Sequence, residues 1–182
     1  MQSFVGVAGV EQETFRAETQ LRVDGFSESD IKKGSEFMRW KYEVARTGQG
    51  WNELQSTIEK ARGEAWLGYT APPNNLERLQ QVYRSVMTYD PVPALEKLHI
   101  PVLAMWGSKD TFLPVPRTVA AFKRAMAKAK NKDYVVKIYP NASHSLLETP
   151  TGSPSTGGKE TNFSPGLWKM ETDWVFKRFA RM

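Results

Sequence analysis

No cysteine occurs in the 182 residues, which excludes disulfides, thiol catalysis and thiolate-bound zinc and leaves the chain compatible with either redox compartment. Histidine is nearly as scarce. His99 and His144 are the two present, they lack the H-x-x-x-H spacing, and neither a metal site nor a cofactor is expected. No stretch approaches the roughly 20 apolar residues of a membrane-spanning helix. Nor does a basic start followed by an apolar core mark a secretory signal, so the reading is a soluble chain, with the cytoplasm the favoured compartment. No internal repeat is visible.

What is there is an ordinary globular composition, 40% hydrophobic and 25% charged, with a net charge of +5 and a pI near 9.4. The basic excess concentrates at Lys123, Arg124, Lys128, Lys130 and Lys132. A helix over 116–130 puts Val119, Phe122, Met126 and Ala129 on one face and these cations on the other, so the charge reads as a solvated surface. No recognition motif accompanies it, and no nucleic-acid partner is expected.

The N-terminal third is organised as consecutive helices, with no strand between Val10 and Arg62. A first helix runs from Glu11 to Asp24, before Gly25. Ser27 followed by Asp30 resembles a capping box with Asp in place of Glu. Ile31, Ser35, Met38, Tyr42 and Ala45 then recur at helical spacing until Gly48, and Trp51, Leu54, Ile58 and Ala61 mark a third helix. After Pro72-Pro73, a helix over 74–87 is expected to bury Leu76, Leu79, Tyr83 and Val86. Thr149 to Ser164, rich in Gly, Ser, Thr and Pro, reads as a surface loop. Ser164-Pro165 opens a last helix, with Leu167, Met170, Trp174 and Phe179 facing a sheet.

Two segments carry the chemistry. Ile100 to Trp106 is an apolar run followed by Gly107-Ser108-Lys109-Asp110, and Tyr134 to Tyr139 is a second followed by Pro140-Asn141-Ala142-Ser143-His144. Short apolar runs that end in a Gly or Asn turn fit strands of a parallel sheet. In open α/β sheets ligands sit beyond the carboxyl ends of the strands, so an acid and a histidine just past two such ends can converge across 34 positions. Taken alone, Asp110 also fits a turn-capping carboxylate and His144 a loop histidine bonded to backbone. His99, before Ile100-Pro101, reads as structural.

The strings PVLAMWGSKDTFLP (101–114) and VKIYPNASHSLLE (136–148) resemble the penultimate strand with acid loop and the last strand with histidine loop of the α/β-hydrolase superfamily. Asp90-Pro91 and ALEKLHIP resemble the lead-in to the first of these. Within the superfamily, SFVGVAG at 3–9 followed by a helical insertion, and the late FSPGLWKMETDWVFKRF, are most similar to the dienelactone-hydrolase-like and prolyl-oligopeptidase-like branches. The resemblance implies an α/β fold. Its form would be a partial α/β-hydrolase domain of about three parallel strands (3–8 among them) flanked by helices, with a helical lid insertion at 11–63 and a sheet-and-helix part at 74–182. It assigns Asp110 the triad acid and His144 the triad base.

The triad's third member has no match. The family sets its serine in a G-x-S-x-G elbow on the strand before the one at 3–8, and that motif occurs nowhere in the chain. Gly25-Phe26-Ser27-Glu28-Ser29 lacks the second glycine and reads as a helix start; Ser153-Pro154-Ser155-Thr156-Gly157 lacks the first. The expectation is a truncated gene product, a misplaced start codon or one half of a split protein. The activity implied is serine-hydrolase cleavage of an ester, lactone or amide bond in a small molecule or peptide, with the serine supplied from outside this chain. A missing N-terminal half or a homo-oligomer would cover the sheet edge. The competing reading is a non-catalytic remnant or interaction module. In the hydrolase reading Trp40, Trp51, Trp66 and Tyr69 would line a substrate pocket; as aromatics at helical spacing they also fit a core.

Overall fold

The computed structural model describes residues 9–153, 155 and 161–179, apart from the side chains of Val86 and Phe179. The predicted strand at 3–8 lies outside the described residues, as do the inward positions expected of Val86 and Phe179. The chain divides into two compact units, a helical one of residues up to Pro91 with Thr111–Pro114, and an α/β one from Val92 to Asp110 and from Val115 onward.

In the helical unit, α1 (Gly9–Val23) packs on α2 (Glu28–Thr47), followed by α3 (Trp51–Lys60) and the single turn α4 (Ala65–Gly68). Local chemistry sets the bounds of α2. Ser27 Oγ accepts the Asp30 N–H at 3.2 Å, and Gly48 closes the helix in the left-handed region at φ 74°. Asp30 departs from a capping box: it accepts the Ser27 hydroxyl proton at 2.7 Å. The spacing read from Ile31 through Ser35, Met38 and Tyr42 to Ala45 is the buried face, and Leu21, Leu54, Trp66 and Leu67 close the core against it.

The helix expected over 74–87 is shorter, and its hydrogen bonding widens from the α to the π spacing. Asn75 caps α5 (Leu76–Val82), accepting the Arg78 N–H at 2.8 Å, and residues Tyr83–Met87 continue as a π-helical turn. Gly9 lies against this turn: any Cβ there would stand 2.7 Å from the Met87 Cα, so backbone approaches backbone.

In the α/β unit, the short α6 (Val92–Leu95) precedes β1 (Val102–Gly107), α7 (Val115–Lys128), β2 (Tyr134–Tyr139) and α8 (Leu167–Phe179). β1 and β2 pair in parallel, Val102 opposite Tyr134 and Gly107 opposite Tyr139. Among the described residues the sheet has these two strands. Between them α7 buries Val119, Phe122 and Met126 together with Val115, Ala121 and Ala125, and Ala129 just past its end is buried too, while Lys123, Arg124 and Lys128 lie on its exposed side. Phe122 packs edge-on to Trp106 of β1 and Tyr134 of β2, which seats the helix across both strands. Asn131 fixes the far end, donating to the carbonyls of Leu98 at 3.1 Å and Ile100 at 2.8 Å. In α8, Leu167 is buried and Met170 and Trp174 are half-buried, whereas Trp168, Val175 and Phe176 are exposed.

Candidate active site

Because β1 and β2 are parallel and in register, Gly107 and Tyr139 end the sheet side by side and the next residues leave from one end. The two loops bond to each other at once. Ser108 N–H donates to the Tyr139 carbonyl and Lys109 N–H to the Ala142 carbonyl, each at 2.9 Å. Asp110 follows, its backbone turned back onto the Gly107 carbonyl at 3.3 Å. The histidine loop is itself closed. Thr149 N–H donates to the Asn141 carbonyl and Ser143 N–H to that of Leu147, both at 2.8 Å, so His144 projects from a tight turn ending at Leu146.

Leu146 adopts φ 60°, a conformation that costs a non-glycine residue about 1–2 kcal/mol. Its side chain is buried with Tyr139, Ala142 and Leu167, and its carbonyl accepts both the N–H and the hydroxyl of Ser164 at 2.9 Å. Burial and bonding of this one residue hold the turn that presents the histidine.

His144 Nδ1 lies 2.8 Å from Asp110 Oδ2. The carboxylate is almost fully enclosed, with 2% of its side chain exposed, while the imidazole keeps 32% of its own. The hydrogen bond that the ring donates to Asp110 raises the imidazole pKa above its usual 6.5; partial burial opposes this and the charge of the carboxylate adds to it. An Nδ1–H held by a carboxylate selects the tautomer in which Nε2 is the ring atom able to take a proton. A base of this kind can activate a hydroxyl or water placed at Nε2.

The remaining sequence candidates fall elsewhere. Trp66 is buried in the helical unit's core, edge-on to Phe37 at 5.9 Å, and its indole N–H donates to Glu64. Trp40 is half-buried and also edge-on to Phe37, and Trp51 is half-buried against the same core. Tyr69 donates its hydroxyl to Asp24 at 2.6 Å and packs edge-on to Phe26. His99 is exposed. Of the serines near the pair, Ser108 and Ser145 are exposed, and the Ser143 hydroxyl is buried without a hydrogen-bond partner among the described residues. Ser27, in one of the near-miss elbow strings, is the α2 cap; the other string, at 153–157, lies largely outside the described residues. Among the described residues no cluster of three His, Asp or Glu could hold a metal ion, and no helix is long and apolar enough to cross a membrane.

Residues 76–174 match the model of the dienelactone hydrolase family, a span that contains both strands, both loops, Asp110 and His144. No curated protein and no solved structure matches the chain.

Proposed function

The chain belongs to the dienelactone hydrolase family, and from that premise we propose that it supplies the acid–histidine half of a serine hydrolase acting on an ester, lactone or amide bond. The observation that carries the reading is the 2.8 Å Asp110–His144 contact between two loops at one end of a parallel strand pair. Asp110 orients the imidazole and stabilises the imidazolium. His144 takes the proton of an attacking serine hydroxyl at Nε2 and returns it to the leaving group. The serine and its oxyanion-stabilising N–H groups come from outside this sequence, since no G-x-S-x-G occurs within it. A competing reading, a non-catalytic interaction module of the same fold, is favoured by that absence alone.

The test is to assay the 182-residue chain on short activated esters and to label it with a serine-directed fluorophosphonate, alone and with a fragment carrying a family G-x-S-x-G elbow. The chain alone is expected to stay at background, because loss of a triad nucleophile costs on the order of a millionfold in turnover. With the added fragment, labelling and hydrolysis should appear and be lost in His144→Ala. Binding of the fragment without either activity would favour the non-catalytic reading. Labelling of the chain alone that needs His144 would instead assign the nucleophile to an internal serine, with Ser108, Ser143 and Ser145 examined first.

The same proposal gives residues 11–63 the role of a lid and the half-buried Trp40, Trp51 and Tyr69 that of substrate contacts, while Trp66 serves the core. Trp40 and Trp51, the half-buried pair of tryptophans, are the substitutions that separate contact from packing. In the complemented hydrolase Trp40→Phe and Trp51→Phe should raise KM at unchanged thermal stability. A drop in stability with KM unchanged would make them core residues.

A further inference from the structure

We infer that Gly107 and Ser108 are positioning residues for the acid–histidine pair: together they lock the acid loop to the histidine loop through backbone contact, so that the Asp110–His144 distance is set before any substrate arrives. The inference rests on the hydrolase reading above and adds to it the residues that hold the pair in register.

Three observations support it. First, Gly107 has no room for a side chain. A Cβ there would overlap the carbonyl oxygens of Ser143 and Ala142 and stand 2.6 Å from the Ala142 carbonyl carbon. These groups belong to backbone, which cannot swing aside as a flexible side chain can, and they immediately precede His144. Glycine is needed here for close approach, not for an unusual φ, since Gly107 is absent from the positive-φ positions.

Second, Ser108 closes the contact from the next position. Its Oγ accepts the Asn141 N–H at 3.0 Å, while its own N–H donates to the Tyr139 carbonyl at 2.9 Å. Asn141 sits in the left-handed region at φ 53°, where the strand turns into the histidine loop. An exposed serine thereby satisfies the backbone N–H of the residue at which that loop changes direction. Third, Lys109 continues the lock on either side, with its N–H on the Ala142 carbonyl and its ammonium on the Pro150 carbonyl. Consecutive residues 107, 108 and 109 thus each touch backbone of the segment 139–150, and Asp110 comes next. The carboxylate therefore inherits its place from the loop contact, and His144 inherits its place from the opposite side of the same contact.

The experiment uses the intact 182-residue chain and reads the pair directly, without turnover. With His99 and His144 the two histidines, the imidazole resonances are assignable by substitution. The readouts are the far-downfield Nδ1 proton of His144 and the midpoint of its titration. In the unsubstituted chain the proton should be visible and the midpoint above 6.5. Ser108→Ala should weaken that resonance and move the midpoint back toward 6.5 at unchanged thermal midpoint, and Gly107→Ala should abolish the resonance. Ser145→Ala, an exposed position in the same loop, should leave both readouts in place.

If Gly107→Ala fails to fold, Ser108→Ala and Lys109→Ala carry the test. A normal His144 signature in Ser108→Ala and Lys109→Ala would overturn the positioning role while leaving the pair intact. Absence of the downfield proton from the unsubstituted chain, with a midpoint at 6.5, would instead overturn the hydrolase reading on which it rests.

Discussion

At the scale of single residues, two buried or half-buried cations behave in opposite ways with pH. His144 has its pKa raised by the Asp110 carboxylate. Folding is then favoured by the imidazolium in full below 6.5, and this contribution is lost as pH rises through the folded pKa. Asp110→Asn should remove that part of the pH dependence, as followed by denaturant unfolding across pH 5 to 8. Lys41 runs the other way. The residue is 3% exposed, its ammonium donates to the Thr70 carbonyl at 2.6 Å, and burial lowers its pKa from 10.5 to about 8. Glu13 opposes this shift and Arg16 adds to it. Here the unfolded chain binds the proton more tightly, so stability rises with pH from about 8. The gain is at most about 3 kcal/mol, at about 1.4 kcal/mol per unit. It ends where the neighbouring Tyr42 phenol, its pKa raised by burial, begins to favour the unfolded state above 10.0. Lys41→Met should flatten the curve between pH 8 and 10, and an unchanged slope would show that the carbonyls of Thr70 and Ala71, to which the ammonium donates, keep it protonated.

Elements owe their limits to local chemistry and their survival to packing. Ser27→Ala removes the acceptor at the start of α2 and should cost about 1 kcal/mol. Gly48→Ala forces a Cβ into the left-handed region and should cost a similar amount. Met126 of α7 has no exposed surface, and Met126→Ala should cost about 2–5 kcal/mol, well above either cap, because it leaves a cavity in the core. Chemical denaturation of the three variants ranks these effects; a cap variant that costs more than Met126→Ala would show that α2 depends on its termini more than α7 depends on its buried face.

At the scale of the whole molecule, the two strands of the described residues leave open edges. Among the described residues β1 and β2 have each other as partners, and Ile138 remains 42% exposed. Parallel sheets ordinarily have both faces covered, and open edges invite association. α8 adds an apolar stripe of Trp168, Val175 and Phe176, with Phe163 packed edge-on to Trp168. The chain is therefore expected to self-associate with rising concentration in sedimentation velocity. Trp168→Lys with Phe176→Lys should weaken that association without lowering the thermal midpoint. An unchanged association constant would transfer the effect to the strand edges.

Much of this was legible in the sequence because the signals are local. The 3.6-residue spacing from Ile31 to Ala45 and from Val119 to Ala129 fixes a buried face wherever the helix docks, since no other face has comparable apolar area. Two apolar runs closed by turn residues placed Asp110 and His144 one short loop past their strands. Tertiary structure decided the rest. The parallel register of β1 and β2 turned 34 positions of separation into a 2.8 Å contact. The approach of Met87 to Gly9 accompanies a π turn that no periodicity announces. The need for Gly107 and Ser108 arises from backbone 33 or more positions away. Local spacing determines which face or turn a residue occupies; which backbone lies against that turn depends on strand pairing, whose free energy is shared by residues far apart in the chain.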